Sequence, residues 1–516
     1  MKAFLMYQDR DFSPAERPCP NAGDLEQDLE LDTLFKAMAA GDDYLLKVAR
    51  SAVLQSIGQP DAILYRQRVL ADCIEHPDVV RAMYSVAVEA VEREKRNIRW
   101  TSPDYPIGTL HRSIDVLKIF LELLKKLRTM AVEQGGGFRS DGFQRLFTMF
   151  EKELGDEYVK LVESHLERLA FRKDMLMSAE LGQGNRGVNY ILRKSPQTKS
   201  SWTERVQSWL EQVGRRNRSS FVFEIADRDE GGFRALSDLR NQGIAHVAGA
   251  LAQSTDHLLG FFRMLRAELG FYVGCLNLRD RLVRQGGVSC FPEPVLDGSA
   301  QLAGKGLYDV CLSLNLEAQA VGNDIAADGM SLVIITGANR GGKSTFLRSV
   351  GVAQLMMQCG MFVPAERFRA NVCQAVFTHF KREEDAAMKS GKLDEELMRM
   401  SRIIDELAPS SLILFNESFA ATNEREGSEI ARQIVRALLD GGMKVFFVTH
   451  MFSLAQGFHR QQTPSTLFLR AERLPSGLRT FRVVPGEPLP TSFGKDLFER
   501  IFEIVPEDPP AAPARP

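Results

Sequence analysis

The segment Gly337-Ala338-Asn339-Arg340-Gly341-Gly342-Lys343-Ser344 constrains the fold of this chain more than any other. Ser331-Leu332-Val333-Ile334-Ile335 ahead of it reads as a buried strand, and Thr345 to Gln358 behind it reads as a helix ending near Gly360. A glycine-rich turn set between a buried strand and a helix is the context in which such a segment binds phosphate rather than merely turning the chain around an incidental lysine. The glycines let backbone N–H groups point inward at a helix N-terminus, where partial positive charge favours an anion. Gly337, Asn339, Gly341, Gly342 and Thr345 would form the cradle, Lys343 would reach the β- and γ-phosphates, and Ser344 would ligate magnesium. The expected ligands are ATP and Mg2+.

Length bounds the rest. A chain of 516 residues holds about two to four domains, and 44% apolar with 26% charged residues is ordinary soluble-protein usage. The formal charge of −2 gives no overall attraction to nucleic acid, so any such contact has to come from a local basic patch. The seven cysteines are scattered without a Cys-x-x-Cys pair, which suggests neither a zinc site nor a disulfide framework and fits a reducing compartment. No signal peptide or membrane span is legible, and the expected location is the cytoplasm, with no membrane partner.

Residues 1–290 read as a mostly helical core and lever region. Leu110, Ile114, Leu117, Leu121 and Leu124 form one stripe at helical spacing, and Leu258, Phe262, Leu265, Leu269, Tyr272 and Leu276 form a second, so two long helices are expected to pack together. Between them, about 134–246 reads as a less regular, clamp-like insertion, with a glycine loop at Gly135-Gly136-Gly137 and strands at Val188 to Arg193 and Phe221 to Glu224. Gly286 to Pro294 marks a boundary. Residues 291–495 then carry short apolar runs, Leu332 to Ile335, Leu412 to Phe415 and Val445 to Val448, separated by helical segments. That pattern predicts an α/β domain built on a largely parallel sheet. Residues 496–516 form a tail with a Pro- and Ala-rich, disordered end.

Three positions outside the loop carry chemistry. Leu412-Ile413-Leu414-Phe415-Asn416-Glu417 is a buried strand ending in polar residues, where P-loop enzymes keep their metal-binding and water-activating carboxylates. Glu417 at the tip would polarise the attacking water. Asn416 stands where an aspartate is usual; it keeps an acceptor oxygen for magnesium but lacks the charge, so metal affinity should fall. Thr449-His450 follows the third apolar run and would bring the imidazole near the γ-phosphate, although a lone histidine is more often structural.

Taken together, Ile334 to Thr345, Phe362-Val363-Pro364-Ala365, Phe377-Thr378, Asn416-Glu417 and Thr449-His450 resemble, in order and spacing, the ATPase domain of MutS mismatch-repair proteins. The resemblance is strong from about Phe291 to Gly457. It implies an ABC-type P-loop NTPase domain, catalytic roles for Glu417 and His450, a place near the adenine for Asn323, and a homodimer in which each ATP site is completed by the opposite subunit. Three departures accompany it. Core-like helices begin within about thirty residues of Met1, which implies a short form without the mismatch-reading domain. The aromatic residue expected ahead of Asn323 is replaced by Ala320 and Val321. The trans-acting signature is altered after Ser390-Gly391, leaving Ser390 as the candidate to touch the partner's nucleotide.

For DNA, Arg186 to Arg218 carries Arg186, Arg193, Lys194, Lys199, Arg205, Arg215, Arg216 and Arg218 against Glu204 and Glu211, a net +6, and includes Trp202 and Trp209. It reads either as the tip of a clamp on duplex phosphates or as a solvated loop with the tryptophans in a local core. The leading expectation is a MutS-like ATPase whose nucleotide state controls a dimeric clamp on mismatched, branched or otherwise distorted double-stranded DNA. The alternative is an ATP-switched protein-interaction scaffold with little or no hydrolysis.

Overall fold

The computed structural model describes residues 1–16, 18–55, 57–97, 106–170, 176–181, 183, 187–193, 230–296, 300–382 and 391–490. The chain forms two compact units. One comprises residues 1–2, 85–136 and 147–266; the other comprises 3–84, 137–146 and the chain from Ala267 on. Both units are discontinuous in sequence, and residues 3–84 fall in the same unit as the α/β sheet.

The helical elements that precede the sheet are α1 (Ala22–Asp28), α2 (Leu31–Ala39), α3 (Asp43–Leu54), α4 (Pro60–Glu75), α5 (Pro77–Arg96), α6 (Pro106–Gln134), α7 (Asp141–Glu153) and α8 (Asp156–Leu169). A hairpin follows, β1 (Leu176–Leu181) antiparallel to β2 (Gly187–Arg193), and then the 55-residue helix α9 (Glu230–Arg284). In the helical unit, Leu110, Ile114 and Leu117 of α6 pack with Leu166 of α8 and with Ile244 and Ala248 of α9, and Phe120 meets Phe262 at 5.1 Å between ring centroids. Leu258, the first residue of the second stripe, packs against the same cluster as Leu110, Ile114 and Leu117 of the first.

Two features of this region differ from the sequence reading. The segment 141–169, read as irregular, forms α7 and α8; Phe143, Leu146, Phe147 and Phe150 are buried at the 3-1-3 spacing of one helix face. The helix α9 begins at Glu230, so the insertion boundary near His246 falls inside it. Its first half carries Gly231, Gly232, Gly243 and Gly249, which weaken a helix reading, although Ile244, Val247, Ala248 and Leu251 extend the apolar face back from Leu258.

The second unit holds two sheets. Their strands are β3 (Glu293–Val295), β4 (Leu302–Leu307), β5 (Asn323–Ala326), β6 (Leu332–Gly337), β7 (Arg367–Asn371), β8 (Val376–Phe380), β9 (Leu412–Asn416), β10 (Lys444–Val448), β11 (Thr466–Arg473) and β12 (Arg479–Pro485). The larger sheet runs β12-β11-β6-β10-β9-β8 and is parallel except for β12. The smaller runs β3-β7-β4-β5. The helices are α10 (Val310–Leu316), α11 (Lys343–Gln358), α12 (Lys392–Glu406), α13 (Glu424–Asp440) and α14 (Phe452–Gln461).

Strand alternation divides the core. Leu332 and Ile334, Ile413 and Phe415, Val445 and Phe447 share one face with Met400 and Ile403 of α12, Val435 and Leu438 of α13 and Leu454 and Phe458 of α14. Continuous apolar strands are what a sheet covered on both faces requires. The N-terminal helices join this unit through polar anchors. Asn21 donates to Val376 O at 2.6 Å, and the fully buried Arg66 donates to Met6 O and Cys359 O.

Glu268 of α9 is the buried acceptor that holds the first residues in place. Its carboxylate receives the N–H of Leu5 at 2.6 Å and of Phe12 at 3.2 Å, while Tyr272 donates to Leu5 O. Burial pushes its pKa up from 4.5 to about 7, against the lowering effect of those donors. A raised folded-state pKa favours the folded form most below about pH 4.5, and that contribution is lost as pH rises through about 7. Glu268→Gln should therefore flatten the stability–pH curve between those limits in thermal melts. Glu268→Ala, which orphans two buried donors, should cost about 2–6 kcal/mol at about 1–3 kcal/mol per donor.

Candidate functional site

The parallel register sets the site. Val448 of β10 lies opposite Ile335 of β6 on one side and Asn416 of β9 on the other, so the C-terminal ends of three strands meet at one edge. Ligands in open α/β sheets bind at that edge. A glycine-rich turn leaves β6 there and enters α11. Gly337 and Gly342 take φ of 104° and 93°, and a Cβ on Gly342 would lie 3.1 Å from Phe481 O, so both conformation and space call for glycine. The resulting cavity of about 430 Å³ is lined by Asn339, Arg340, Gly341, Gly342, Lys343, Ser344, Thr345, Glu417 and His450.

Within it, Lys343 is buried and its Nζ donates to Gly337 O and Ala338 O, both at 3.1 Å. Burial lowers its pKa, partly offset by the charge of Glu417. An ammonium has three donors, so one is left over for an entering anion and the other two can be exchanged. Ser344 Oγ donates to Asn416 Oδ1 at 2.9 Å. A hydroxyl and an amide oxygen side by side suit a hard cation such as Mg2+, which takes few protein ligands and keeps water and substrate oxygens for the rest. Among the described residues no cluster of three or more His, Cys, Asp or Glu offers a separate metal site.

Glu417 sits one residue past β9 with φ of 55°, its N–H bonded to Val448 O at 2.9 Å. His450 Nδ1 lies 3.9 Å from its carboxylate. The imidazole foremost, with Lys343 and Lys381 behind it, holds the Glu417 carboxyl below the usual range against the opposing effect of burial. The group is thus an ionised base beside the loop, as orienting a water requires.

Asn323 is not brought to this cavity. Its side chain is buried in β5, accepts from Val483 N at 2.7 Å and lies against Val321 O; with Gly322, Asp324, Arg482 and Val483 it lines a second cavity of about 420 Å³. Arg193 ends β2, while Lys194, Lys199, Arg205, Arg215, Arg216, Arg218 and Ser390 lie outside the described residues. Three residues that sequence reasoning passed over stand near the loop or its neighbours. Phe481, half exposed with φ of 59°, puts its carbonyl against Gly342. His379 and Glu396 are buried behind Glu417. A histidine in an apolar strand and a glutamate in the acidic first turns of a helix carry no signal of their own.

A helical N-terminal region joined to a mixed α/β domain, with a glycine-rich loop at the strand ends, is the multidomain architecture of MutS-like proteins. The family model for the MutS2 N-terminal domain matches residues 58–285, and that for MutS domain V matches residues 333–502. Relatives include the DNA mismatch repair protein MutS of Thermotoga petrophila, 35% identical over 168 residues, or 32% of this chain and 21% of that protein. The same-named protein of Chloroflexus aurantiacus is 35% identical over 139 residues (26% and 14%), and human MutS protein homolog 4 is 29% identical over 150 (29% and 16%). The chain belongs to the MutS-like mismatch repair family. The aligned stretch spans about a fifth or less of the length of these relatives.

Replacing the neutral amide beside Ser344 by a carboxylate adds the missing charge. Asn416→Asp should tighten the Mg2+ requirement for nucleotide binding by about tenfold or more, read from Mg2+ titrations at fixed nucleotide; an unchanged midpoint would place the metal elsewhere.

Proposed function

We propose that this chain binds ATP with Mg2+ at the glycine-rich loop, hydrolyses it slowly, and uses nucleotide state to control a dimeric clamp on mismatched, branched or otherwise distorted duplex DNA. The observation that carries the reading is the convergence of Lys343, Ser344, Asn416, Glu417 and His450 around one cavity. Lys343 and the loop N–H groups would hold the phosphates. Glu417 would orient the attacking water, and His450 would stand beside both. Mg2+, when bound, would supply charge neutralisation of the β- and γ-phosphate oxygens. The described residues contain no helix long and apolar enough to cross a membrane.

Two finer assignments follow. Phe481, whose backbone adjoins Gly342, offers the aromatic surface for the adenine that Ala320 and Val321 do not. Asn323 would act indirectly, by fixing Val483 two residues further along β12. Asn416 favours slow turnover, since the metal site lacks a formal charge.

The DNA grip would come from the basic stretch Arg186 to Arg218. If its net +6 is spent on phosphates, log K against log salt should have a slope of about −5, and replacing Arg215, Arg216 and Arg218 by alanine should reduce that slope by about 3. Affinity for a four-way junction should also change when ATP is added. Absence of DNA binding at low salt, together with ATP-dependent capture of a protein partner, would instead identify an ATP-switched scaffold.

A further inference from the structure

Behind the catalytic edge lies a buried polar cluster that the proposed hydrolytic machinery does not itself use. The backbone after β9 is unusual: Glu417 and Phe419 both adopt left-handed φ, 55° and 61°, without being glycine. Each such residue costs about 1 kcal/mol or more and persists only where its surroundings over-determine it. Phe419 O lies so near α13 that a Cβ at Gly427 would come within 2.3 Å of it. The turn therefore has a wall on one side.

On the other side it is held by two side chains. His379, fully buried at the end of β8, stacks on Phe419 with centroids 5.1 Å apart and planes at 19°. Its Nδ1 is 2.8 Å from Ser418 Oγ and its Nε2 2.9 Å from Glu396 O. A carbonyl only accepts, so Nε2 carries the proton and Nδ1 is an acceptor; the single Ser418 hydroxyl proton lies between Nδ1 and the His379 carbonyl, to which Oγ also donates. Burial pushes the His379 pKa down to about 4, which keeps the ring neutral in this role. Glu396 of α12, 5% exposed, accepts the N–H of Phe419 at 2.8 Å through Oε2, while its Oε1 has no partner among the described residues. A neutral acceptor would satisfy one N–H at less desolvation cost than a buried carboxylate without a direct cation. The same helix is tied to the N-terminal helices, because Arg399 donates to Phe380 O at 2.9 Å and pairs with Asp28 of α1 at 3.4 Å.

We propose that His379 and Glu396 are positioning residues for hydrolysis, which fix the 417–419 turn through Ser418 Oγ and Phe419 N and thereby aim the Glu417 carboxylate into the cavity beside the loop. The inference rests on the reading of that cavity as an ATPase site. Neither side chain lines the cavity, so they act on the chemical step and not on nucleotide affinity.

The test measures kcat for ATP and, separately, the Kd of a fluorescent ATP analogue in full-length variants. Glu396→Ala and His379→Phe, the second of which preserves the ring stack, should lower kcat by about 10- to 100-fold, the scale of a misplaced catalytic group, while Kd stays within about twofold of the parent. Glu396→Gln, which still offers an acceptor oxygen to Phe419 N, should keep kcat within about threefold. In a Glu417→Gln background, neither change should lower the residual rate further, because the group they aim is gone. Unchanged kcat in Glu396→Ala and His379→Phe overturns the proposal. So does a parallel loss of kcat and affinity in which Gln at 396 is as harmful as Ala, since that pattern marks a merely structural contact. If the parent hydrolyses ATP no faster than Lys343→Ala, the ATPase reading fails first; if the parent is active and Glu417→Gln matches it, the role given to Glu417 fails, and the positioning role with it.

Discussion

The site depends on the register of a parallel sheet. With Val448 opposite both Ile335 and Asn416, the turn after β6, the tip of β9 and the Thr449-His450 step after β10 arrive at one edge. A slip of one residue in β9 would turn Leu412, Leu414 and Asn416 onto the face now filled by Ile413 and Phe415, and would carry Ser344's partner away. The register is secured by packing on both faces. Phe415 stacks on Phe447 at 4.9 Å between centroids, and the alternating residues of β6, β9 and β10 lock into α12, α13 and α14. Burial of large apolar side chains, not the polar groups of the site, makes the geometry rigid.

That rigidity is used at the end of β9, where the chain leaves the sheet through a left-handed residue. Glu417 is aimed by backbone conformation as much as by its rotamer. The conformation is bounded by Gly427 on one side and by His379, Ser418 and Glu396 on the other. The arrangement joins this turn to α12, and α12 to α1 through Arg399, which lies against Asp24 and Asp28, while Arg382 after β8 also pairs with Asp24. Arg399 and Asp28 form a largely buried pair of opposite charges. Removing one partner of such a group is far more costly than the pair is worth, so it specifies position more than it adds stability. Residues 3–84 are thereby part of the α/β unit, not of the helical one.

Much of this was legible from sequence, for physical reasons that differ by element. The strands β6, β9 and β10 announce themselves as short apolar runs because they are buried on both faces, and the loop declares itself through glycines that no other residue can replace. The stripes on α6 and α9 are visible because each buries one face. The front half of α9 is less so, since four glycines interrupt the stripe that Ile244, Ala248 and Leu251 carry. The packing of residues 3–84 with the sheet, the contact of Asn323 with Val483 and the enclosure of His379 are long-range pairings. A single sequence shows the partners of such contacts but not their meeting, and Asn323 and Glu396 look like ordinary polar residues until the fold buries them.

Everything proposed for the site requires the loop at the end of β6 to be a nucleotide site centred on Lys343. Calorimetric titration of Mg-ATP into the full chain and into Lys343→Ala tests it most directly. One nucleotide should bind per chain, with at least about a tenfold loss of affinity in the variant, for the charge-assisted contacts that the ammonium would make to phosphate. Equal affinity in both proteins, with the variant folded as judged by its thermal melt, would contradict it.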